Sequence, residues 1–387
     1  MNAAAAVPKI LVTCPIHADV RERLEAVGRV EMNTAIEPWT PAQLAIRIRD
    51  ADAMMGFMTD CVDAAMLAEA PRLRIVACAL KGFDSYEIAA CTAAGVWLSI
   101  VPDLLTEPTA ELAIGLSIAV ARKLMPGDAQ VRSGQFQGWR PPLYGAGLAG
   151  ASVAVIGLGQ VGQAVTRRLA GFGCARVLGV DPVQTLAGVE PVALTQALAE
   201  ADFVFVAAPL TAQSLHLIDA KALEYCKPGQ FIINVGRGSV VDELAVADAL
   251  EAGRLGGYAA DVFECEDWAL PGRPAHVPVR LRLRHDTVFT PHLGSAVRAV
   301  RVAIEQRAAD NIIAVLQGGS PLDAINLPEA GLAVLSKGQS PDTSDAHHPE
   351  RPAWRAFPVI SVQILPAARR SHGTGLDPCQ AGRLCAA

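Results

Sequence analysis

Arg237, Glu266 and His292 stand in the segments NVGRGSVVDE, AADVFECEDW and TPHLGS, each just past an apolar run that reads as a strand. Loops leaving the carboxyl ends of parallel strands open into the crevice of a doubly wound sheet, so three such residues can converge there. Their chemistry is complementary. A guanidinium grips an oxyanion bidentately, an imidazole accepts a proton near neutral pH, and a carboxylate beside that imidazole fixes its tautomer and raises its basicity. Taken singly, Arg237 and Glu266 read equally well as a surface ion pair and His292 as a structural hydrogen bond; taken together they form an anion-binding and proton-transfer set.

The crevice is announced by residues 151–182, ASVAVIGLGQVGQAVTRRLAGFGCARVLGVDP, in which an apolar run is followed by G-L-G-Q-V-G, a helical pattern and a second apolar run ending in Asp181. Gly157 allows the tight turn out of the strand, Gly159 lets the backbone approach a pyrophosphate, and Gly162 permits close packing of the next helix, whose N-terminal N–H groups face the phosphates. Val161, Val165, Leu169 and Phe172 fall on one helical face. Asp181 lies 19 residues beyond Gly162, where a carboxylate accepts both ribose hydroxyls. Its charge repels a 2′-phosphate, and Pro182 follows it rather than an arginine, so the expected cofactor is NAD rather than NADP.

Of 387 residues, 51% are hydrophobic and 19% charged, and 33 Lys and Arg nearly balance 39 Asp and Glu, the make-up of an ordinary globular protein with nothing that suggests nucleic acid. The N-terminus has no signal-like pattern and the longest apolar stretch, around Ala110–Ala121, is too short to span a bilayer, so a cytoplasmic protein without membrane contact is expected. Nine cysteines lack metal-ligand spacing, and Cys78 and Cys174 sit in apolar runs, which reads as buried free thiols and no metal.

Strand-like runs at Ile10–Cys14, Ala53–Met58, Leu73–Leu80 and Val96–Val101 alternate with helical patterns and imply a parallel α/β unit ahead of the glycine motif. A helix over Thr109–Lys123 and a loop over Gly134–Gly147 lead into the second unit, where Phe203–Ala208, Phe231–Val235, Tyr258–Val262 and Thr287–Thr290 continue a sheet of five or six strands. Arg298–Leu316 reads as a helix that crosses back to complete the first unit. The expected fold is α/β with two doubly wound parallel sheets: a discontinuous flavodoxin-like substrate domain (1–105 and 296–328) and a Rossmann NAD-binding domain (106–295), with the active site in the cleft between them. Residues 329–387 mix Pro, Ser, His and Arg without periodicity, and a disordered tail is expected.

On these motifs the stretch from about Lys9 to Pro328 resembles the D-isomer-specific 2-hydroxyacid dehydrogenases, which implies an Arg-Glu-His set acting with NAD(P) in a homodimer. CALKGFDSYE, VPDLLTEPTAELAIGL, VRSGQFQGW, RGSVVDE and FTPHLGSAVRAVR resemble the phosphonate (phosphite) dehydrogenase branch, which implies NAD-dependent oxidation of phosphite to phosphate. The resemblance places substrate contacts on Lys81 and Arg237, the proton-transferring pair on His292 and Glu266, and a further arginine on Arg301. It gives Met58, Trp139 and Tyr144 the shaping of the pocket, the aromatic pair coming across the dimer interface. The nucleotide contacts it implies are Gly157, Gly159, Gln160, Val161, Gly162, Asp181, Pro209, Val235, Asp261, His292 and Gly294. Lys81 beside Arg237 suits a substrate that approaches two negative charges, as phosphite does near neutral pH; its structural alternative is a strand-end pairing with Asp84. Arg273–His285, with PVRLRLRH, diverges from the family's loop. Two other readings stay open: a dehydrogenase of a small 2-hydroxy carboxylate, and an NAD(H)-sensing corepressor that uses the same fold without turnover.

Overall fold

The computed structural model describes residues 7–139 and 143–328, so the expectation of a disordered tail over 329–387 lies outside the described residues. In the first half, β1 (Lys9–Val12), α1 (Ala18–Glu25), β2 (Arg29–Met32), α2 (Pro41–Ile48), β3 (Ala53–Gly56), α3 (Ala64–Ala68), β4 (Ile75–Cys78), α4 (Ile88–Ala93) and β5 (Trp97–Ser99) follow one another. Their five strands are parallel in the order β2-β1-β3-β4-β5. All but the edge strand β2 are buried along their length, because helices cover both faces, and apart from Lys9 and Ser99 their side chains are apolar. Ile10, Val12 and Ile75 pack on one face with Val20 and Leu24, while Leu11, Met54 and Val76 pack on the other with Leu44, Ile48 and Cys91.

The second half runs α5 (Thr106–Ala121), α6 (Leu124–Arg132), β6 (Ser152–Ile156), α7 (Gln160–Leu169), β7 (Arg176–Val180), β8 (Glu190–Pro191), α8 (Leu194–Glu200), β9 (Phe203–Val206), α9 (Ala220–Leu223), β10 (Gln230–Asn234), α10 (Glu243–Glu251), β11 (Leu255–Ala260), α11 (Val279–Arg282), β12 (Thr287–Phe289) and α12 (Arg298–Leu316). Its seven strands are parallel in the order β12-β11-β10-β9-β6-β7-β8. The order reverses between β6 and β9, and the glycine motif leaves β6 at that switch point, where an open α/β sheet takes its ligand. Helix α12 returns to the first sheet: Ile304, Ala308, Ile312 and Val315 are buried against Ile10, Ile75 and Ala77. The structure is thus two parallel-sheet α/β domains, the second of Rossmann type.

The structure departs from the expected elements in definite places. The second sheet has seven strands rather than five or six, and most strands end two residues short of their apolar runs. Helix α5 begins at Thr106 and stops at Ala121, two residues before Lys123, which takes φ 54°. Phe172 falls in a 3-10 turn beyond α7 and is 36% exposed, so the buried face of that helix ends at Leu169. Cys78 is buried but Cys174 only partly so, and the seven described cysteines are free. No described helix is long and apolar enough to cross a membrane.

Candidate active site

The glycine motif has the three steric roles its spacing implies. Gly157 has φ +87°, and a Cβ there would lie 2.7 Å from the Ala208 backbone nitrogen, so only glycine makes the turn. Gly162 packs α7 onto the loop so closely that a Cβ would lie 2.0 Å from the Gly157 carbonyl oxygen. Gly159 caps α7 and has open space where its Cβ would be. An exposed glycine ahead of free helix N–H groups is what a pyrophosphate needs, and the cradle fits a dinucleotide. Gln160 and Val161 form the first turn of α7, exposed and half-buried respectively. Past β7, the Asp181 carboxylate accepts from the Leu158 N–H (2.7 Å) with one oxygen and from the Val183 and Gln184 N–H groups (2.9 and 2.8 Å) with the other. It ties the glycine loop to the turn that follows β7. Pro209 and Val235 stand just beyond β9 and β10, the first exposed and the second buried.

His292 follows β12 in a left-handed conformation, φ 54°. Its Nδ1 lies 2.9 Å from Glu266 Oε2, and the other Glu266 oxygen accepts from the Phe263 N–H at 2.8 Å. A carboxylate on Nδ1 selects the tautomer with its proton there and leaves Nε2 as the working nitrogen. Asp261, expected as a nucleotide contact, also holds the turn that carries His292. It is 1% exposed, and its carboxylate accepts from Thr290 Oγ1 (2.6 Å) and from the Leu293 and Gly294 N–H groups (2.7 and 2.8 Å), while its carbonyl accepts from the His292 N–H (2.8 Å). Burial pushes its carboxyl up, against these hydrogen bonds. Asp261 therefore clamps the histidine turn, and Gly294 is enclosed with it: a Cβ there would lie 2.9 Å from Thr109 Oγ1.

The turn after β4 carries Lys81 and holds Arg237 through Asp84. Arg237, beyond β10, donates from Nε to Asp84 Oδ2 (2.9 Å) and from Nη1 to the Gly236 carbonyl (3.0 Å). Its guanidinium lies over Gly82, where a Cβ would fall 1.3 Å from Nη2. Lys81 does not pair with Asp84; its ammonium donates to Gln160 Oε1 at the head of α7. Desolvation pushes the Lys81 amine down to about 8, with nearby Asp103 opposing. One turn of the first domain thus touches the glycine motif through Lys81 and Arg237 through Asp84.

Met58, Asp84, Arg237, Glu266, Trp268 and His292 line the cleft. Arg301 is not among its walls; its Nη1 donates to the Ala79 carbonyl (3.4 Å), its Nη2 faces Glu305 (3.9 Å), and it sits beneath the turn that carries Lys81. Trp139 and Tyr144 are 86% and 75% exposed and do not line this chain's own cleft. Sequence reasoning missed Asp84 as the partner of Arg237 and Trp268 as a wall. The latter had a signal, a large aromatic two residues past Glu266. Among the described residues no group of His, Cys, Asp and Glu is arranged to hold a metal ion.

Comparison with known proteins agrees with this geometry. Residues 114–294 match the model of the D-isomer specific 2-hydroxyacid dehydrogenase, NAD binding domain. A glyoxylate reductase of Thermococcus litoralis is 34% identical over 331 residues, covering 82% of this chain and 97% of that protein. A glyoxylate reductase of Thermofilum pendens is 34% identical over 85% of this chain and 98% of its own length. The crystal structure of the TT0316 protein from Thermus thermophilus superposes with a TM-score of 0.75 at 33% identity, covering 82% of this chain and 99% of that one. An NADPH-dependent glyoxylate/hydroxypyruvate reductase from Sinorhizobium meliloti, in complex with NADP and malonate, gives a TM-score of 0.72 at 29% identity, over 84% of this chain and 98% of that one. The chain belongs to the D-isomer specific 2-hydroxyacid dehydrogenase family, an oxidoreductase family, and carries that family's NAD-binding domain.

Proposed function

We propose that this chain is an NAD-dependent reductase of a small 2-oxoacid of the glyoxylate class, and in the reverse direction the dehydrogenase of the matching 2-hydroxyacid. The observation that carries the reading is His292 held through Nδ1 by Glu266 at 2.9 Å in the same cleft as Arg237. Bound NADH supplies the hydride. Arg237 holds the substrate carboxylate with the guanidinium N–H groups that Asp84 and Gly236 leave free, and His292 Nε2 donates a proton to the carbonyl oxygen as the carbon is reduced. Glu266 keeps the imidazolium in register before transfer and the neutral tautomer in place after it. The names of the relatives point the same way. The acidic Asp181, followed by Pro182, supports NAD over NADP.

A second reading is favoured by Lys81, whose ammonium, carried on the turn that also bears Asp84, donates to Gln160 Oε1 at the head of α7. In it the two cations hold phosphite, His292 Nε2 takes a proton from the attacking water, the P–H hydride leaves to NAD, and phosphate is released. One experiment separates the readings: initial rates with NADH and glyoxylate, pyruvate or hydroxypyruvate, and with NAD and phosphite. The first reading expects turnover of a 2-oxoacid and none of phosphite. Phosphite turnover without 2-oxoacid turnover overturns it in favour of the second, and NAD(H) binding without turnover of either overturns both in favour of a nucleotide-sensing corepressor.

We also propose a homodimer. The arm after α5 exposes Leu124, Met125, Val131 and Phe136 together with Trp139 and Tyr144, and a second copy that covers it would bring the aromatic pair toward its cleft. Light scattering at twice the monomer mass is the expected result; a monomer at working concentration refutes it.

A further inference from the structure

The loop after β11 carries an aromatic residue that neither the proton pair nor the anion clamp uses. Trp268 lies two residues past Glu266, and it lines the cleft together with Met58 of the first domain. Its backbone is pinned: its N–H donates to the Glu266 carbonyl (2.9 Å), and the Leu270 N–H donates to the Asp267 carbonyl (2.9 Å). Between them the Asp267 side chain, 5% exposed, accepts from the Ser239 N–H at 2.6 Å and fastens the turn to the loop that bears Arg237. The ring is pinned as well. The Arg273 guanidinium lies 3.9 Å from the indole centroid and donates to the Cys265 carbonyl, inside the 3-10 turn Glu264–Glu266. A planar cation stacked on an indole and tied to the neighbouring backbone restricts the ring's rotation, which a lysine could not do equally well.

We infer that Trp268, held by Arg273, determines which substrates enter by setting the length of the group attached to the reacting carbon. The inference rests on the 2-oxoacid reading above. With the carboxylate on Arg237 and the carbonyl oxygen on His292, the remaining substituent of the carbon faces the rest of the lining, in which Met58, Leu210 and Trp268 supply the large apolar side chains. That substituent is a hydrogen in glyoxylate and an alkyl chain in longer acids. A pinned indole does not yield to a chain as a flexible side chain would, and each extra methylene meeting an apolar wall is discriminated by roughly 10-fold or more. Arg273 acts through Trp268 and is a positioning residue.

The test uses the full chain with NADH and the series glyoxylate, pyruvate, 2-oxobutyrate, 2-oxopentanoate. For Trp268→Ala the ratio of kcat/KM for 2-oxopentanoate over glyoxylate should rise at least ~10-fold, mainly through KM for the longer acid, with KM for NADH unchanged. Arg273→Leu should move the same ratio the same way by about a third of that factor on a logarithmic scale or more. Trp268→Phe, which keeps an aromatic core, serves if the alanine variant does not fold, and should fall between. A ratio within twofold of the parent in variants that retain activity overturns the inference. If the parent reduces no 2-oxoacid but oxidises phosphite, the functional reading has failed and the wall is judged separately: propylphosphonate should gain on methylphosphonate as a competitive inhibitor in Trp268→Ala, and equal inhibition ratios overturn it.

Discussion

Replacing Gly82 by alanine tests whether Arg237 works from where it stands. A Cβ at position 82 would lie 1.3 Å from Arg237 Nη2 and 2.5 Å from its Cζ, whereas carbon and nitrogen settle at about 3.5 Å, so the guanidinium must retreat by about 2 Å. That retreat breaks the Nε bond to Asp84 at 2.9 Å and the Nη1 bond to the Gly236 carbonyl at 3.0 Å. The clash falls on the far end of a flexible side chain, and Gly82 has no positive φ, so the fold itself is spared and the unfolded chain loses a little freedom. A misplacement of even 1 Å at a substrate-orienting group costs about 10²-fold, about 2.7 kcal/mol of transition-state stabilisation. Steady-state NADH oxidation should therefore show kcat/KM for the acid lowered by about 100-fold or more, with KM for NADH and the melting temperature held. A kcat/KM within threefold of the parent would refute the placement of Arg237 as the anion clamp.

Lys81 gives a pH prediction. Its amine is pushed down to about 8, so the charged form prevails below that pH and is lost above it; kcat/KM for the anion should fall about tenfold per pH unit beyond 8. Lys81→Met should remove that alkaline limb in a profile from pH 6 to 10, and an unchanged limb would assign it to another group. Gly162→Ala should force α7 away from the loop, since its Cβ would meet the Gly157 carbonyl oxygen at 2.0 Å. Calorimetry should show NAD binding at least ~10-fold weaker and thermal melting a loss of about 1–3 kcal/mol, and parent-like values in both would contradict the packing.

The glycine motif was legible because each glycine answers to a local steric demand that spacing alone reveals. His292, Glu266 and Arg237 were legible for a related reason: strand ends in a doubly wound sheet point to one crevice. What could not be read was long-range pairing. Asp84 and Arg237 are 153 residues apart, and nothing near either one announces the other. The resemblance implies Asp261 as a nucleotide contact, but nothing in the sequence tells of the three donors that close on its carboxylate around the left-handed turn at His292. The missed elements lack periodicity for physical reasons: β2 (RVEM) is a partly solvated edge, β8 is two residues long, and α6 contains Pro126 and Gly127 and buries no side chain.

Asp181 is a strut as well as a charge. Because one carboxylate oxygen props the Leu158 amide and the other closes the bend at Val183 and Gln184, exchanging this acid for a neutral or basic residue would slacken the phosphate cradle while it relieved repulsion of a third phosphoryl group. Any redesign of coenzyme preference in this scaffold must therefore replace the brace along with the charge, by a side chain that still accepts from both sets of amides or by a bend that no longer needs them.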